Sequence, residues 1–393
     1  MNKIINSLTV LRGLENDGVF SSLTEYAESV YEGNPSKEKF NDLAAAVYEC
    51  GAESSVRAYI QKLILTDENA FSVCCTRTGN PSDYLKNAYL KDVATIEGLF
   101  ACLEDCNQFC SGEDLKTFNV DFGNNFEANI VQFYRRHGYG KFIYNRAFTY
   151  EDGALKPITA VSSTTLDQLK DYENEKTIIK NNLSDFVNGL PFSNMLLYGD
   201  KGTGKSSTVH ATFNLFAGGG LKIIEVDKRD VVNLIDIKRL VAEIPLRFII
   251  FIDDISFEED DERLSTLKAA LEGSVSGAVV NVMIIATSNR RHIVKESFSD
   301  RQNSVHPSDL LEEQLSLSDR FGLTVMFSST DKPAYLSIVR QLAADQNISI
   351  ESDRLSALAE RWAILKGGRS PRRAKQFVDF VYACIKSGRA IEF

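Results

Sequence analysis

One stretch of twelve residues constrains this chain more than any other. The apolar run Met195-Leu196-Leu197-Tyr198 passes directly into Gly199-Asp200-Lys201-Gly202-Thr203-Gly204-Lys205-Ser206, and a helical stretch continues to about Phe216. Apolar strand, glycine-rich loop and helix start are the parts of a phosphate-binding P-loop. Glycines let a backbone turn tightly and approach an anion without Cβ clashes. Successive backbone N–H groups then form a nest for phosphate. The helix that follows turns the positive end of its dipole toward the same place. Lys205 has the reach for the β- and γ-phosphates of a nucleotide, and the Ser206 hydroxyl is suited to ligate Mg²⁺. The expected nucleotide-binding residues are Gly199, Asp200, Lys201, Gly202, Thr203, Gly204, Lys205, Ser206 and the adjacent Ser207.

The rest of the chain must supply a sheet for that strand to join. At 393 residues it has length for roughly two or three domains. Its hydrophobic content of 44% and charged content of 25% suit a globular protein with a sizeable core. A net charge of -10 argues against coating nucleic acid through global charge, while leaving room for a local basic patch. No stretch has the apolar length of a membrane span. The first residues lack the apolar core and cleavage site of a signal peptide. These features predict a cytoplasmic protein whose seven cysteines are reduced.

Three segments separate. Residues 1–153 carry six of the seven cysteines and show helical apolar spacing at Ser22 to Tyr31, Lys37 to Cys50, Val56 to Leu65 and Asp92 to Cys110. They are expected to form a mainly helical partner or substrate module ending in a linker, with a loop or hairpin near Gly138 and Gly140. Residues 154–330 alternate strands with helices. The strands are placed at the P-loop run, Leu221 to Val226, Phe248 to Ile252, Val279 to Thr287 and Leu323 to Phe327. Near-continuous apolar strands between helices predict a parallel sheet covered on both faces, with ligands beyond the carboxyl ends of its strands. Residues 331–393 predict three helices, split by Gly367-Gly368, with Pro371 in the first turn of the last.

Carboxylates at strand ends complete a P-loop site. Phe248 to Ile252 runs into Asp253-Asp254. Asp253 is the expected Mg²⁺ residue, direct or through water. Asp254 is the expected acid that orients or deprotonates an attacking water, and Glu258 is the alternative with a longer side chain. The strand ending Ala286-Thr287-Ser288-Asn289 brings an amide, Asn289, beside those acids, where it can bond a γ-phosphate or the water; a turn asparagine is the plainer reading. The cysteines Cys102, Cys106 and Cys110, four apart, are read as small buried apolar residues rather than metal ligands. The basic clusters Arg135-Arg136-His137 and Arg290-Arg291-His292 are read as solvated surface, with nucleic-acid contact not favoured.

From Val161 to Phe393 these residues resemble the AAA+ ATPase superfamily. Gly199 to Ser206 is similar to Walker A, Ile249 to Asp254 to Walker B, and Asn289 to sensor 1. Leu317-Ser318-Asp319-Arg320-Phe321 resembles the arginine-finger box, with Arg320 the finger. Ser370-Pro371-Arg372-Arg373-Ala374 resembles sensor 2; Arg372 is the best match, with Arg369 and Arg373 close competitors. Leu169 and Tyr172 match the segment that packs on adenine. A closer resemblance, in Ser288-Asn289-Arg290-Arg291-His292 and in Ser316 to Leu323, is to a little-studied bacterial AAA+ family known only as a domain of unknown function. The resemblance implies an α/β P-loop core with a C-terminal helical lid and a helical N-terminal domain. It implies ATP and Mg²⁺ as cofactors, and Arg320 acting in trans within a ring or spiral of identical subunits. It also implies remodelling of a protein client that the sequence does not name. Asp254 departs from the superfamily pattern, where Glu is usual, and the length from Arg290 to Leu317 is a second departure.

Overall fold

The computed structural model describes residues 3–52, 55–103, 126–257, 261–272, 280–289 and 319–393. Glu258, the Arg290-Arg291-His292 cluster, Leu317, Ser318, Cys106 and Cys110 lie outside the described residues. The chain forms two compact units, residues 1–145 with 243–246, and residues 146–242 with 247–393.

The first unit is helical: α1 Lys3–Ser7, α2 Gly18–Tyr31, α3 Lys37–Glu49, α4 Val56–Thr66, α5 Ala70–Thr78, α6 Asp83–Leu99, α7 Phe126–His137 and α8 Lys141–Tyr144. Short polar side chains start these helices. Asp17, Ser36, Ser55 and Ser82 each accept an N–H from the first turn of α2, α3, α4 and α6, and Asn69 with Ser72 closes a capping box on α5. The helix expected at Asp92 to Cys110 instead begins at Asp83 under its Ser82 cap and ends at Leu99, where a 3-10 turn, Phe100–Leu103, follows. Phe20, Leu23, Ile60, Phe71, Tyr89 and Tyr134 fill the core. Asp92 is buried within it, and its Oδ2 accepts the backbone N–H groups of Thr9, Val10 and Leu11 at 2.9, 2.7 and 3.0 Å.

The second unit holds the fold class expected from the sequence. Its strands are β1 Ala147–Glu151, β2 Ala154–Pro157, β3 Met195–Gly199, β4 Leu221–Val226, β5 Arg247–Ile252, β6 Val282–Ser288 and β7 Leu323–Phe327. They form one seven-stranded sheet in the order β2-β1-β4-β5-β6-β3-β7. β2 is antiparallel to β1; every other pairing is parallel. The hairpin adds two strands to the five expected, and the boundary expected at 153/154 falls on its turn. β5 and β6 are buried along almost their whole length, as strands covered on both faces must be. The helices between strands are α9 Glu173–Val187, α10 Lys205–Phe216, α11 Leu234–Ala242 and α12 Glu262–Glu272. Because β3 lies between β6 and β7, the order in which the parallel strands are connected switches beside it, and the loop after β3 opens into a crevice at the carboxyl edge.

Three further helices, α13 Lys332–Asp345, α14 Ser352–Leu365 and α15 Pro371–Lys386, pack around Tyr335, Ile338, Phe377 and Val381. Pro371 occupies the first turn of α15, as expected, behind the N-cap Ser370. Trp362 stacks on Phe380 with ring centres 5.3 Å apart and meets Phe393 edge-on at 5.2 Å. Among the described residues no helix is long and apolar enough to cross a membrane.

Candidate functional site

The site is assembled where three strand ends and two lid helices converge. β3 ends at Gly199, whose φ of +138° suits glycine. A Cβ there would sit 1.9 Å from the Phe327 carbonyl oxygen, so only glycine lets the loop leave β3 against β7. At Gly202 φ is +83°, and a Cβ would press on Ser370 Oγ at 3.0 Å and Arg372 Cβ at 3.4 Å. The lid thus rests directly on the loop: the Arg372 backbone N–H, free of an intrahelical partner in the first turn of α15, donates to the Gly202 carbonyl at 3.1 Å.

Lys205 opens α10 and is buried. Its Nζ donates to the carbonyls of Gly199 and Asp200 at 2.8 and 2.9 Å and to Asn289 Oδ1 at 3.3 Å. Burial pulls its pKa below the ordinary lysine value, against the opposing pull of Asp254, Asp253 and Asp200. Ser206, next on α10, donates from Oγ to Asp253 Oδ1 at 2.5 Å. Asn289 Nδ2 donates to Asp254 Oδ1 in a short hydrogen bond. Asp254 has a left-handed backbone, φ +51°, a region in which aspartate is among the less strained residues. The loop, the acidic pair and the amide form one hydrogen-bonded set.

This set lines a cavity of about 470 Å³, within the usual size for a small-molecule site. Leu169 and Tyr172 line it too, together with Ile338 and Leu342 of the lid. Tyr172 is fixed by its hydroxyl, which donates to the Ser328 carbonyl at 2.7 Å. Lys170, Lys176, Lys201, Lys205, Arg372 and Lys375 outnumber Asp171, Asp253 and Asp254 around the cavity, in a chain that is acidic as a whole. Such a lining suits a polyanion with an apolar end. The donors also suit a hard divalent cation, since the Ser206 hydroxyl and Asp253 carboxylate already meet.

The sequence-predicted residues from Lys201 to Ser207 line this cavity together with Asp253, Asp254, Asn289, Leu169, Tyr172 and Arg372. Gly199 and Asp200 present their carbonyls to Lys205. The three arginines left open in the lid separate: Arg372 lines the cavity, Arg369 is bound by Glu360 in two hydrogen bonds, and the Arg373 guanidinium lies beside Gly368. Arg320 is not brought to the cavity; it pairs with Glu272 at 2.8 Å. Sequence reasoning missed Thr287, Lys375 and the lid pair Ile338 and Leu342. Strand alternation offered a signal for Thr287, two residues before Asn289, and helical spacing offered one for Lys375, three after Arg372.

A family model described as "Protein of unknown function (DUF815)" matches residues 141–384. No curated protein matches the chain. Solved structures similar to it include the Thermotoga maritima RuvB Holliday junction branch migration motor, at 16% identity and a TM-score of 0.40, covering 57% of this chain and 66% of that one. The FIGL-1 AAA domain in complex with ADP is similar at 14% identity and a TM-score of 0.38, over 58% and 76% of the two chains. The Aeropyrum pernix ORC1 protein in complex with DNA is similar at 16% identity and a TM-score of 0.40, over 57% and 63%. The matched region spans just under two thirds of the RuvB chain. These likenesses concern the fold alone.

Proposed function

The chain belongs to the family described as "Protein of unknown function (DUF815)", and from that premise we propose that it is a Mg²⁺-dependent ATPase of AAA+ type. It uses ATP to change the conformation of a partner, in an assembly of identical subunits. One observation carries this reading: the Ser206–Asp253 and Lys205–Asn289–Asp254 hydrogen bonds gather the P-loop, both acids and the amide in one cationic cavity.

ATP with Mg²⁺, when bound, supplies a phosphoanhydride bond activated by a divalent cation. The P-loop amides and Lys205 hold the phosphates. Ser206 and Asp253 hold the metal. Asp254 orients or deprotonates the attacking water, with Asn289 fixing its carboxylate. Leu169 and Tyr172 would pack on the base, and Ile338 and Leu342 line the same cavity. Arg372 faces the phosphates from the lid, so that lid position and nucleotide state are coupled. Arg320 leaves Glu272 and serves a neighbouring subunit's site in trans, within a closed ring or spiral. The helical residues up to 145 serve as the partner or substrate module, the nucleotide-binding core expected at 154–330 takes in the hairpin strand β1 as well, and residues 331–393 serve as the lid. The protein works in the cytoplasm.

ATP turnover per subunit, measured against protein concentration with assembly mass in parallel, tests this. Turnover that rises as oligomers form supports shared sites. Absence of nucleotide binding in any assembly state ends the proposal. A second reading, an ATP-dependent scaffold that scarcely hydrolyses, is favoured by Asp254: its carboxylate is short, and Asn289 already occupies one oxygen. Tight ATP binding without turnover in an assembled sample selects it.

A further inference from the structure

We propose that Thr287 is a positioning residue that sets both acids of the candidate metal site, an inference that rests on the ATPase reading above. Thr287 lies near the end of β6 and is 1% exposed. A threonine hydroxyl donates one hydrogen bond and accepts others. Here each capacity meets a different member of the acidic pair. Oγ1 donates to Asp253 Oδ1 at 2.5 Å and accepts the Asp254 backbone N–H at 2.9 Å. The Ser206 hydroxyl donates to the same Asp253 oxygen at 2.5 Å. Two hydroxyls from separate elements therefore fix the rotation of the Asp253 carboxylate.

The effect on Asp254 runs through the backbone. Its φ of +51° costs a non-glycine residue energy unless the surroundings hold it. The end of β6 supplies that hold at three points. Thr287 Oγ1 takes the Asp254 N–H, the Thr287 carbonyl takes the Ile255 N–H at 2.8 Å, and Ser288 Oγ donates to the Ile255 carbonyl at 3.0 Å. Of these, only the Thr287 hydroxyl joins both acids. A valine at 287 keeps the shape and the strand propensity but removes the link. Asp253 is then held by the Ser206 hydroxyl alone, and one restraint on the Asp254 turn is lost. A serine keeps the link.

The test uses the full chain and its Thr287→Val and Thr287→Ser variants. Mn²⁺ is titrated by electron paramagnetic resonance with and without ADP, and ADP affinity is measured by calorimetry in excess EDTA. Thr287→Val is expected to bind ADP in EDTA as wild type does, while its Mn²⁺ affinity falls about 10- to 100-fold, the usual effect of removing a group that orients a metal ligand. Thr287→Ser is expected to recover most of that loss. Unchanged Mn²⁺ affinity in the valine variant would overturn the proposal, and so would an equal loss of ADP affinity in EDTA, which marks a packing role. A wild-type chain that binds Mn²⁺ but no ADP sinks the ATP reading alone. The titration without ADP then still judges Thr287 by the same fall in Mn²⁺ affinity.

Discussion

Asp92 in the helical unit and the pair Asp253 and Asp254 at the sheet edge are the same residue type held in opposite ways. Asp92 is buried, and three successive backbone N–H groups converge on one of its oxygens. Those donors belong to the main chain and cannot turn aside without unfolding residues 9–11. Asp253 is held by the hydroxyls of Ser206 and Thr287, and Asp254 by the Asn289 amide. Side-chain donors reorient at little cost, and both acids lie on an open cavity. A carboxylate saturated by backbone amides is a structural clamp. One restrained by hydroxyls and an amide keeps its orientation and its capacity for a cation or a water.

The largest effect that would break this contrast is on turnover. Asp254→Asn keeps the shape and tolerates the left-handed backbone but cannot take a proton. Steady-state ATP hydrolysis should fall about 10²–10⁴-fold, with ADP affinity and thermal midpoint nearly unchanged. Unaltered hydrolysis would remove Asp254 from the chemistry. Next in size, Asp92→Ala leaves three backbone N–H groups, that of Leu11 buried, without their acceptor. Urea denaturation should show a loss of roughly 2–4 kcal/mol, while ADP affinity in the second unit holds. If ADP affinity fell instead, Asp92 would not be a local clamp.

A buried charge of the other sign sharpens the point. Lys222 on β4 is desolvated, and burial pulls its pKa down to about 8. A depressed lysine adds no penalty to folding only above its unfolded value, near 10.4. As pH falls from there to about 8, the unfolded chain takes up the proton that burial denies the native state, so stability is lost across that window and the full penalty stands at lower pH. Lys222→Met should therefore unfold later than wild type at pH 7, by about 1–3 kcal/mol. The difference should shrink toward pH 10.5, in denaturation curves taken across that range. A difference independent of pH would show that packing, and not charge, is at issue. The smallest effect lies in the lid. Ser370 caps α15 by accepting the Arg373 N–H, so Ser370→Ala should cost about 1 kcal/mol, read in the fluorescence of the single tryptophan, Trp362. A midpoint that does not move would show the cap to be dispensable.

Much of the sheet was legible from the sequence. β4 and β7 have the expected limits, Leu221–Val226 and Leu323–Phe327, because apolar runs bounded by turn residues leave a covered strand little choice. The hairpin β1–β2 was less legible. Its residues read as a linker, since Leu155 alone is buried in β2 and pairing with β4 depends on residues far along the chain. Among the three lid arginines the sequence favoured Arg372 with Arg369 and Arg373 close behind; the docking of α15 on Gly202 is what turns Arg372 to the cavity.

The P-loop motif, the acids at the end of β5 and the amide after β6 could each be read from a short segment, because particular residue types stand there at short spacings. Which groups hold those acids is a property of the folded chain alone. Thr287 and Asp254 are 33 residues apart, and no local pattern marks a threonine whose hydroxyl will meet two aspartates. That meeting follows from β5 and β6 lying side by side in register, a consequence of long-range packing that no segment of the chain encodes alone.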